Sequence, residues 1–269
     1  MSGIRIDKMK RSSSFSMPKD HVHDYYELYI VLSGQCRFFV ETNIFSVSAG
    51  NGVIIAPGTL HHTTAHSGTS YERFIIYFNQ ENILSNVWNE ATAAMPDFFE
   101  SRKITIPSYH HKELADLMQK IHIEAKSAED SHSLLLNCYI HEFILLLLRY
   151  QDVTSVQNEI SDPTAAAISQ AAEYISSNLI NDITLEDAAR VANLSSTYFS
   201  KKFKELTGVG FKEYINHQRI RQASSLLLQT DHSITEISEE CGFHNSNYFG
   251  DLFRQMRGVS PSVYRKMKI

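Results

Sequence analysis

The sequence predicts a multi-domain chain: a β jelly-roll barrel with a helical hairpin in the N-terminal half, then an all-α domain with two helix-turn-helix motifs. Three observations carry that reading. Short apolar runs broken by turn residues fill residues 25–80, at the spacing of an antiparallel barrel or jelly roll. Two stretches with helical apolar spacing follow between residues 112 and 149. Near the C-terminus one pattern is written twice, Tyr198-Phe199-Ser200-Lys201-Lys202-Phe203 and Tyr248-Phe249-Gly250-Asp251-Leu252-Phe253, 50 residues apart.

The strands are expected at residues 28–32, 36–40, 44–47, 53–55 and 74–78. Ser33-Gly34, Thr42-Asn43, Gly50-Asn51-Gly52 and Pro57-Gly58 separate the first four and close the last of them. A barrel of this kind takes a small molecule in its interior. His21, His23 and Glu27 stand just ahead of the first strand, and alternate residues of an extended chain point the same way, so His21 and His23 can face one interior point. Imidazoles with a carboxylate suit Fe, Mn, Ni or Zn, and they equally suit hydrogen bonding at a barrel mouth. Both readings stay open.

The spacing His-x-His-x3-Glu-x6-Gly, ending at Gly34, resembles the first motif of the cupin superfamily, and residues 50–61 resemble part of the second. The chain departs from that pattern at Phe15, Ala56 and Ala65. What the resemblance implies for metal-binding members is a ligand set that here falls on His21, His23, Glu27 and His61. No cofactor is required by this reading, and a divalent metal is left open. With or without metal, His21, His23, Glu27 and His61 are the expected effector contacts, with Tyr25, Tyr29, Arg37 and Tyr77 beside them.

After the barrel, residues 112–125 place Leu114, Leu117, Met118, Ile121 and Ala125 on one helical stripe. Residues 134–149 are apolar nearly all round, so the barrel, a partner helix or a second subunit must cover them. The stretch 134–148 holds Asn137, His141 and Glu142 and falls short of the roughly 20 residues a bilayer needs, so no membrane is expected. Polar residues 151–163, closed by Pro163, read as the linker. The expected boundaries are therefore a barrel at 1–105, a helical dimerisation or packing element at 106–150, a linker at 151–163 and an all-α domain at 164–269.

In that last domain the first helix-turn-helix is expected at about 184–207 and the second at about 233–257. Thr184 reads as an N-cap with Asp187 three residues on, and Ser233 with Glu236 repeats the device. Leu185, Ala188, Ala189 and Ala192 give a narrow apolar face against which another helix can pack closely. Asn193 and Gly242 fall at the sharp turns, and both residue types tolerate a left-handed backbone. Upstream of the turn the offset between copies is 49 rather than 50, so one residue has been gained inside the second turn, where insertion is cheap.

Phe199, Phe203 and Leu206 mark the buried side of the second helix. Its outer side carries Ser196, Thr197, Tyr198, Ser200, Lys201 and Lys204, hydroxyls and ammoniums suited to base edges and phosphates. The second copy offers Asn245, Ser246, Asn247 and Arg254. Between the copies, residues 211–229 read as one helix about 28 Å long, a spacer able to set two reading helices in successive major grooves.

These residues, with Gly208, Phe211, Tyr214-Ile215, Arg219-Ile220, Gly258, Pro261 and Tyr264-Arg265, resemble the DNA-binding domain of the AraC/XylS family of bacterial transcription regulators. The resemblance covers about 100 residues. It implies two helix-turn-helix units gripping one asymmetric half-site of double-stranded DNA, a small-molecule effector such as a sugar in the barrel, a homodimer through the helical element, and RNA polymerase as a further partner. In the second copy, Gly250-Asp251 stands where the family usually continues with a Ser-Arg-like step.

Charge agrees with that division of labour. Residues 1–163 carry 19 acidic and 13 basic side chains, whereas residues from 196 onward carry 7 and 11. Cys36, Cys138 and Cys241 are far apart and odd in number, which fits neither a disulfide framework nor a paired metal motif, so a reducing, cytoplasmic setting is expected. No Ser/His/Asp set or phosphate loop stands out, and the expectation is a transcription regulator and not an enzyme. The rival readings are a metal-dependent cupin enzyme or a metal-sensing regulator using His21, His23, Glu27 and His61.

Overall fold

A computed structural model gives the fold, described for residues 4–17, 22–66, 68–83, 87–89, 93, 99–127, 129, 131–150 and 162–267. The chain divides into two compact units, Met1–Val40 with Ile44–Ile160, and Glu41–Asn43 with Ser161–Ile269.

The first unit holds β1 (Arg5–Arg11), β2 (Tyr26–Ser33), β3 (Gln35–Val40), β4 (Asn43–Ser48), β5 (Gly52–Ile55), β6 (His61–Ala65), β7 (Tyr71–Phe78) and β8 (Arg102–Ile104). They form a five-stranded sheet, β1-β7-β2-β5-β8, and a three-stranded sheet, β4-β3-β6. The barrel is thus a pair of sheets. At the centre of the larger sheet both faces are buried, which is why β2, β5 and β7 read as continuous apolar runs. Leu28, Ile30, Ile54, Phe74, Ile76 and Phe78 pack with the helices. The alternate residues Tyr29, Val31, Val53, Ile55, Ile75 and Tyr77 pack with Phe38, Val40, Phe45 and Val47 of the smaller sheet.

All five expected strands form, and three more form with them. Strand β1 reads Arg-Ile-Asp-Lys-Met-Lys-Arg, a charged pattern suited to an edge, and it pairs antiparallel with β7 from Arg5 opposite Tyr77 to Arg11 opposite Tyr71. Strand β6 reads His-His-Thr-Thr-Ala and is held by β3, with Val40 opposite His61 and Cys36 opposite Ala65. Neither carries an apolar run.

Two helices follow, α1 (His111–Glu124) and α2 (His132–Tyr150). Leu114, Leu117, Met118 and Ile121 are buried on α1 as the stripe required, whereas Ala125 is the exposed cap just past the helix end, where no neighbouring turn covers it. Helix α2 is longer than the apolar stretch suggested: at 19 residues it is long and apolar enough to cross a membrane by length and composition alone. Its Ile140, Phe143, Ile144 and Leu147 are fully buried in the cluster shared with the larger sheet, whereas Leu134, Leu135 and Leu145 are exposed.

The second unit holds α3 (Pro163–Ser177), α4 (Leu185–Val191), α5 (Ser196–Thr207), α6 (Phe211–Gln229), α7 (Ile234–Glu240), α8 (Ser246–Arg257) and α9 (Pro261–Arg265). The expected linker lies outside the described residues as far as 161; its last two residues instead begin α3. Asp162 caps that helix by accepting from the amides of Thr164 and Ala165, and Pro163 takes the first helical position, where its missing N–H costs nothing.

Candidate nucleic-acid interface and effector site

The two helix-turn-helix units repeat each other in local chemistry. Thr184 accepts from the amide of Asp187 at 3.1 Å while Asp187 accepts from the amide of Thr184 at 3.2 Å. Ser233 and Glu236 do the same at 3.2 and 2.7 Å. The Thr184 hydroxyl, which also donates to Asp187 at 2.6 Å, and then the Thr184 amide hold the Asp187 carboxyl below the usual carboxylate range, and the Ser233 amide does the same for Glu236. Asn193 and Gly242 both adopt the left-handed turn, at φ 54° and 79°. The extra residue of the second turn is His244, placed between Phe243 and the Asn245 cap, and its Nε2 sits 2.8 Å from Asp182.

The reading helices α5 and α8 each run 12 residues and end on a left-handed glycine, Gly208 and Gly258. Phe199 and Phe203, and likewise Phe249 and Phe253, are fully buried. Thr197, Tyr198, Ser200, Lys201 and Lys204 are therefore turned outward, with Ser196 half-buried. Ser196, Thr197, Ser200, Lys201 and Lys204 line one open groove of about 690 Å³ together with Leu185 and Glu205. In α8, Asn245, Ser246, Asn247 and Arg254 are exposed, as is Asp251.

The spacer helix α6 is more than a rod. Its Arg219 donates through Nε to the Leu179 carbonyl at 3.0 Å and through Nη2 to the Asn181 carbonyl at 3.1 Å. Gly242 lies against the same place: a Cβ there would stand 2.2 Å from the Leu179 oxygen and 2.9 Å from Arg219 Nη2. The second turn is thereby held against the chain that leads into the first unit of the pair. Arg257, at the end of α8, donates to Ser224 Oγ on α6 at 3.0 Å, so it serves the frame and not the outer face.

In the double-sheet unit, β2 and β6 bring together Glu27 and His61, 34 residues apart in sequence. His23 Nε2 lies 3.2 Å from Glu27 Oε2, and His61 Nε2 lies 3.7 Å from the same oxygen. Glu27 and His61 are buried. The Nδ1–H of His61 donates to the Thr59 carbonyl at 3.0 Å, which turns Nε2 toward Glu27. His23 stacks on Tyr25 with ring centres 4.0 Å apart, and Tyr25 meets Tyr77 edge-on at 5.5 Å. Tyr77 stands opposite Glu27 in the register, and burial pushes its phenol pKa up. Tyr29 is fully buried on the same inner face.

Two expected contacts fare differently. His21 lies outside the described residues. Arg37 alternates with Cys36 and Phe38, which belong to the inner cluster, so it stands on the opposite face of β3 and is not brought to Glu27. Strand parity could have shown this, because Arg37 is out of phase with its apolar neighbours. The same parity points to residues not anticipated above. Arg73 shares the inner phase of β7 with Tyr71 and Tyr77, and its Nη2 donates to Asp7 Oδ2 at 2.7 Å. Arg5 lies 4.0 Å from the Tyr77 ring centre.

The fold and its polar group define a two-part class of protein, a double-sheet domain with an inward polar group followed by paired helix-turn-helix units. The chain belongs to the AraC-like family: residues 6–144 match its ligand-binding domain and residues 188–267 match a helix-turn-helix domain. It is similar to the regulatory protein PocR of Salmonella typhimurium, 35% identical over 133 residues, 48% of this chain and 44% of PocR. It thus spans less than half of that relative. It is also 25% identical over 283 residues to the transcriptional activator RhaS of Klebsiella pneumoniae, covering 99% of this chain and 93% of RhaS. With the lactose operon transcription activator of Staphylococcus xylosus it shares 26% identity over 239 residues, 84% of each. These relatives carry the names of regulators and activators.

Proposed function

We propose that this chain is a sequence-specific DNA-binding transcription regulator whose double-sheet unit binds a small-molecule effector. The observation that carries it is the pair of reading helices, equal in length, in caps and in terminal glycine, each presenting a polar face. Two such helices separated by one spacer suit successive major grooves of a single duplex face. The effector shifts the population of molecules able to grip that site. A sugar is one class suggested by the relative named as a lactose operon activator. A homodimer formed through α2 is supported by the exposed Leu134, Leu135 and Leu145, and contact with RNA polymerase in the cytoplasm completes the reading.

The test is a footprint of the full chain on the DNA upstream of its own coding region, repeated over a range of salt. A protected site and a log K against log salt slope equal to several phosphate contacts are expected. Equal affinity for unrelated DNA at physiological salt would sink the reading.

A divalent metal in the same unit is a second reading, supported by His23, Glu27 and His61 offering one ligand atom each within 4.8 Å of one another. Two imidazoles and a carboxylate are a donor set that Zn, Fe and Mn accept, and the bond from His61 to Thr59 orients that ring as an outer partner would. Stoichiometric metal in the purified protein, lost on His61→Ala, supports this reading; metal-free protein with an unchanged footprint rejects it.

A further inference from the structure

The spacer helix α6 reaches the second reading helix at one more place. Tyr198 and Tyr248 hold equal positions, third along α5 and α8, and both are open to solvent, at 43% and 51% exposure. Their hydroxyls differ. Asn216 of α6 donates through Nδ2 to the Tyr248 oxygen at 3.2 Å, whereas no hydrogen bond holds the Tyr198 hydroxyl among the described residues. The Tyr248 ring also meets Phe243 at 6.2 Å between centres, and the Arg219 guanidinium carbon, one helical turn on from Asn216, stands 5.7 Å from the Phe243 ring centre.

The fold does not need the bond from Asn216. Phe249 and Phe253 already seat α8 against Ile220, Ala223 and Leu227 of α6, and Arg257 ties the far end of α8 to Ser224. A bond between two side chains open to water adds little to stability, since both are hydrated once it breaks. What it fixes is direction. The Tyr248 oxygen serves as the acceptor, so its proton is left to donate, and no acceptor among the described residues takes it. A hydroxyl that accepts one hydrogen bond donates a stronger one. With ring and oxygen both held, less side-chain freedom is lost when a partner binds.

The bond to Asn216 also places Tyr248 on the flank of α8 that faces the spacer. With two reading helices in successive major grooves, the phosphates that separate those grooves run past that flank. Phosphate oxygens are acceptors and take tyrosine hydroxyls as well as ammoniums. We propose, on the reading that the paired units grip one duplex, that Tyr248 is a phosphate contact of the second unit and Asn216 its positioning residue. The helix on which Asp251 offsets Arg254 is thus anchored by an oriented neutral hydroxyl, and the spacer takes part in binding by aiming it.

The full chain is titrated onto two labelled duplexes, one from the DNA upstream of its own coding region and one of unrelated sequence at low salt. A phosphate contact is independent of sequence, so both report it. Tyr248→Phe, which removes one oxygen, should weaken both complexes about tenfold. It should leave the slope of log K against log salt unchanged, because a neutral hydroxyl displaces no counterion. Asn216→Ala should weaken binding about threefold in the unaltered chain and have no further effect in Tyr248→Phe. Unchanged affinity of Tyr248→Phe, or equal weakening by Asn216→Ala in both backgrounds, overturns the assignment. Melting temperatures that fall with affinity in both variants would make the bond a strut of the fold and overturn it too. A loss confined to the upstream duplex would make the hydroxyl a base contact and reject the phosphate. The two claims fail separately: equal affinity of the unaltered chain for both duplexes at physiological salt rejects sequence-specific regulation, while a loss in Tyr248→Phe at low salt still upholds the contact.

Discussion

The first and second helix-turn-helix units share a frame and differ in what they show to solvent. Position by position, Phe199 and Phe203 match Phe249 and Phe253, and Ser195 matches Asn245 as the cap of the reading helix. On the outer face, Ser200-Lys201 becomes Gly250-Asp251, while Lys204 becomes Arg254. The outward ammoniums Lys201 and Lys204 make the first helix attractive to phosphate, whereas Asp251 offsets Arg254 on the second. An aspartate can accept from cytosine N4, so the second helix can still read a base while contributing little general attraction. One side of each helix answers to packing, and the other side carries the differences between the copies.

The turns differ in a complementary way, and the largest expected effect lies there. Gly242→Ala places a Cβ on the Leu179 carbonyl in a left-handed backbone, which should cost about 3 kcal/mol between strain and displaced packing. Asn193→Gly, at the matching position, should change stability by less than about 0.5 kcal/mol, since both residues accept that conformation. Urea unfolding of both variants decides it, and equal losses would break the claim that only the second turn is wedged.

Next comes DNA binding. Lys201→Ala should weaken binding roughly tenfold and lower the salt slope by about 0.9, the loss of one phosphate contact. Asp251→Ala should hold or raise affinity while relaxing preference at one base pair. Comparable losses from the two variants would mean that the helices contribute alike.

The capping boxes should behave as equals. Thr184→Ala and Ser233→Ala each remove a hydroxyl from the same reciprocal arrangement and should each cost about 1 kcal/mol in thermal or urea unfolding. A modest effect of the opposite sign belongs to Gly250→Ala. This glycine sits in mid-helix with no atom within 4 Å of a built Cβ and without a positive φ, so alanine should stabilise α8 by about 0.5–1 kcal/mol. A destabilised variant would show that the open space is filled in solution.

Much of this arrangement was legible in the residues themselves. The reading helices, their caps, the left-handed Asn193 and Gly242 and the buried phenylalanines all follow from local rules acting over four or five residues. The central strands were legible because each presents a long apolar run. Strands β1 and β6 were not, because a charged edge strand and a His-His-Thr-Thr segment carry no such run and are defined only by their partners β7 and β3. Helix α3 left a signal in Asp162-Pro163 that a linker reading concealed.

What sequence alone determined, then, is the paired helix-turn-helix frame and the approximate place of the barrel, since hydrophobic period and capping chemistry are local properties. Only the tertiary structure decided which side chains meet: His61 with Glu27 from one sheet to the other, Arg73 with Asp7 across an edge, Gly242 against Leu179, and Arg37 turned away. Those meetings depend on register and on contacts between distant segments, and a shift of one residue in a strand exchanges every inward group for an outward one.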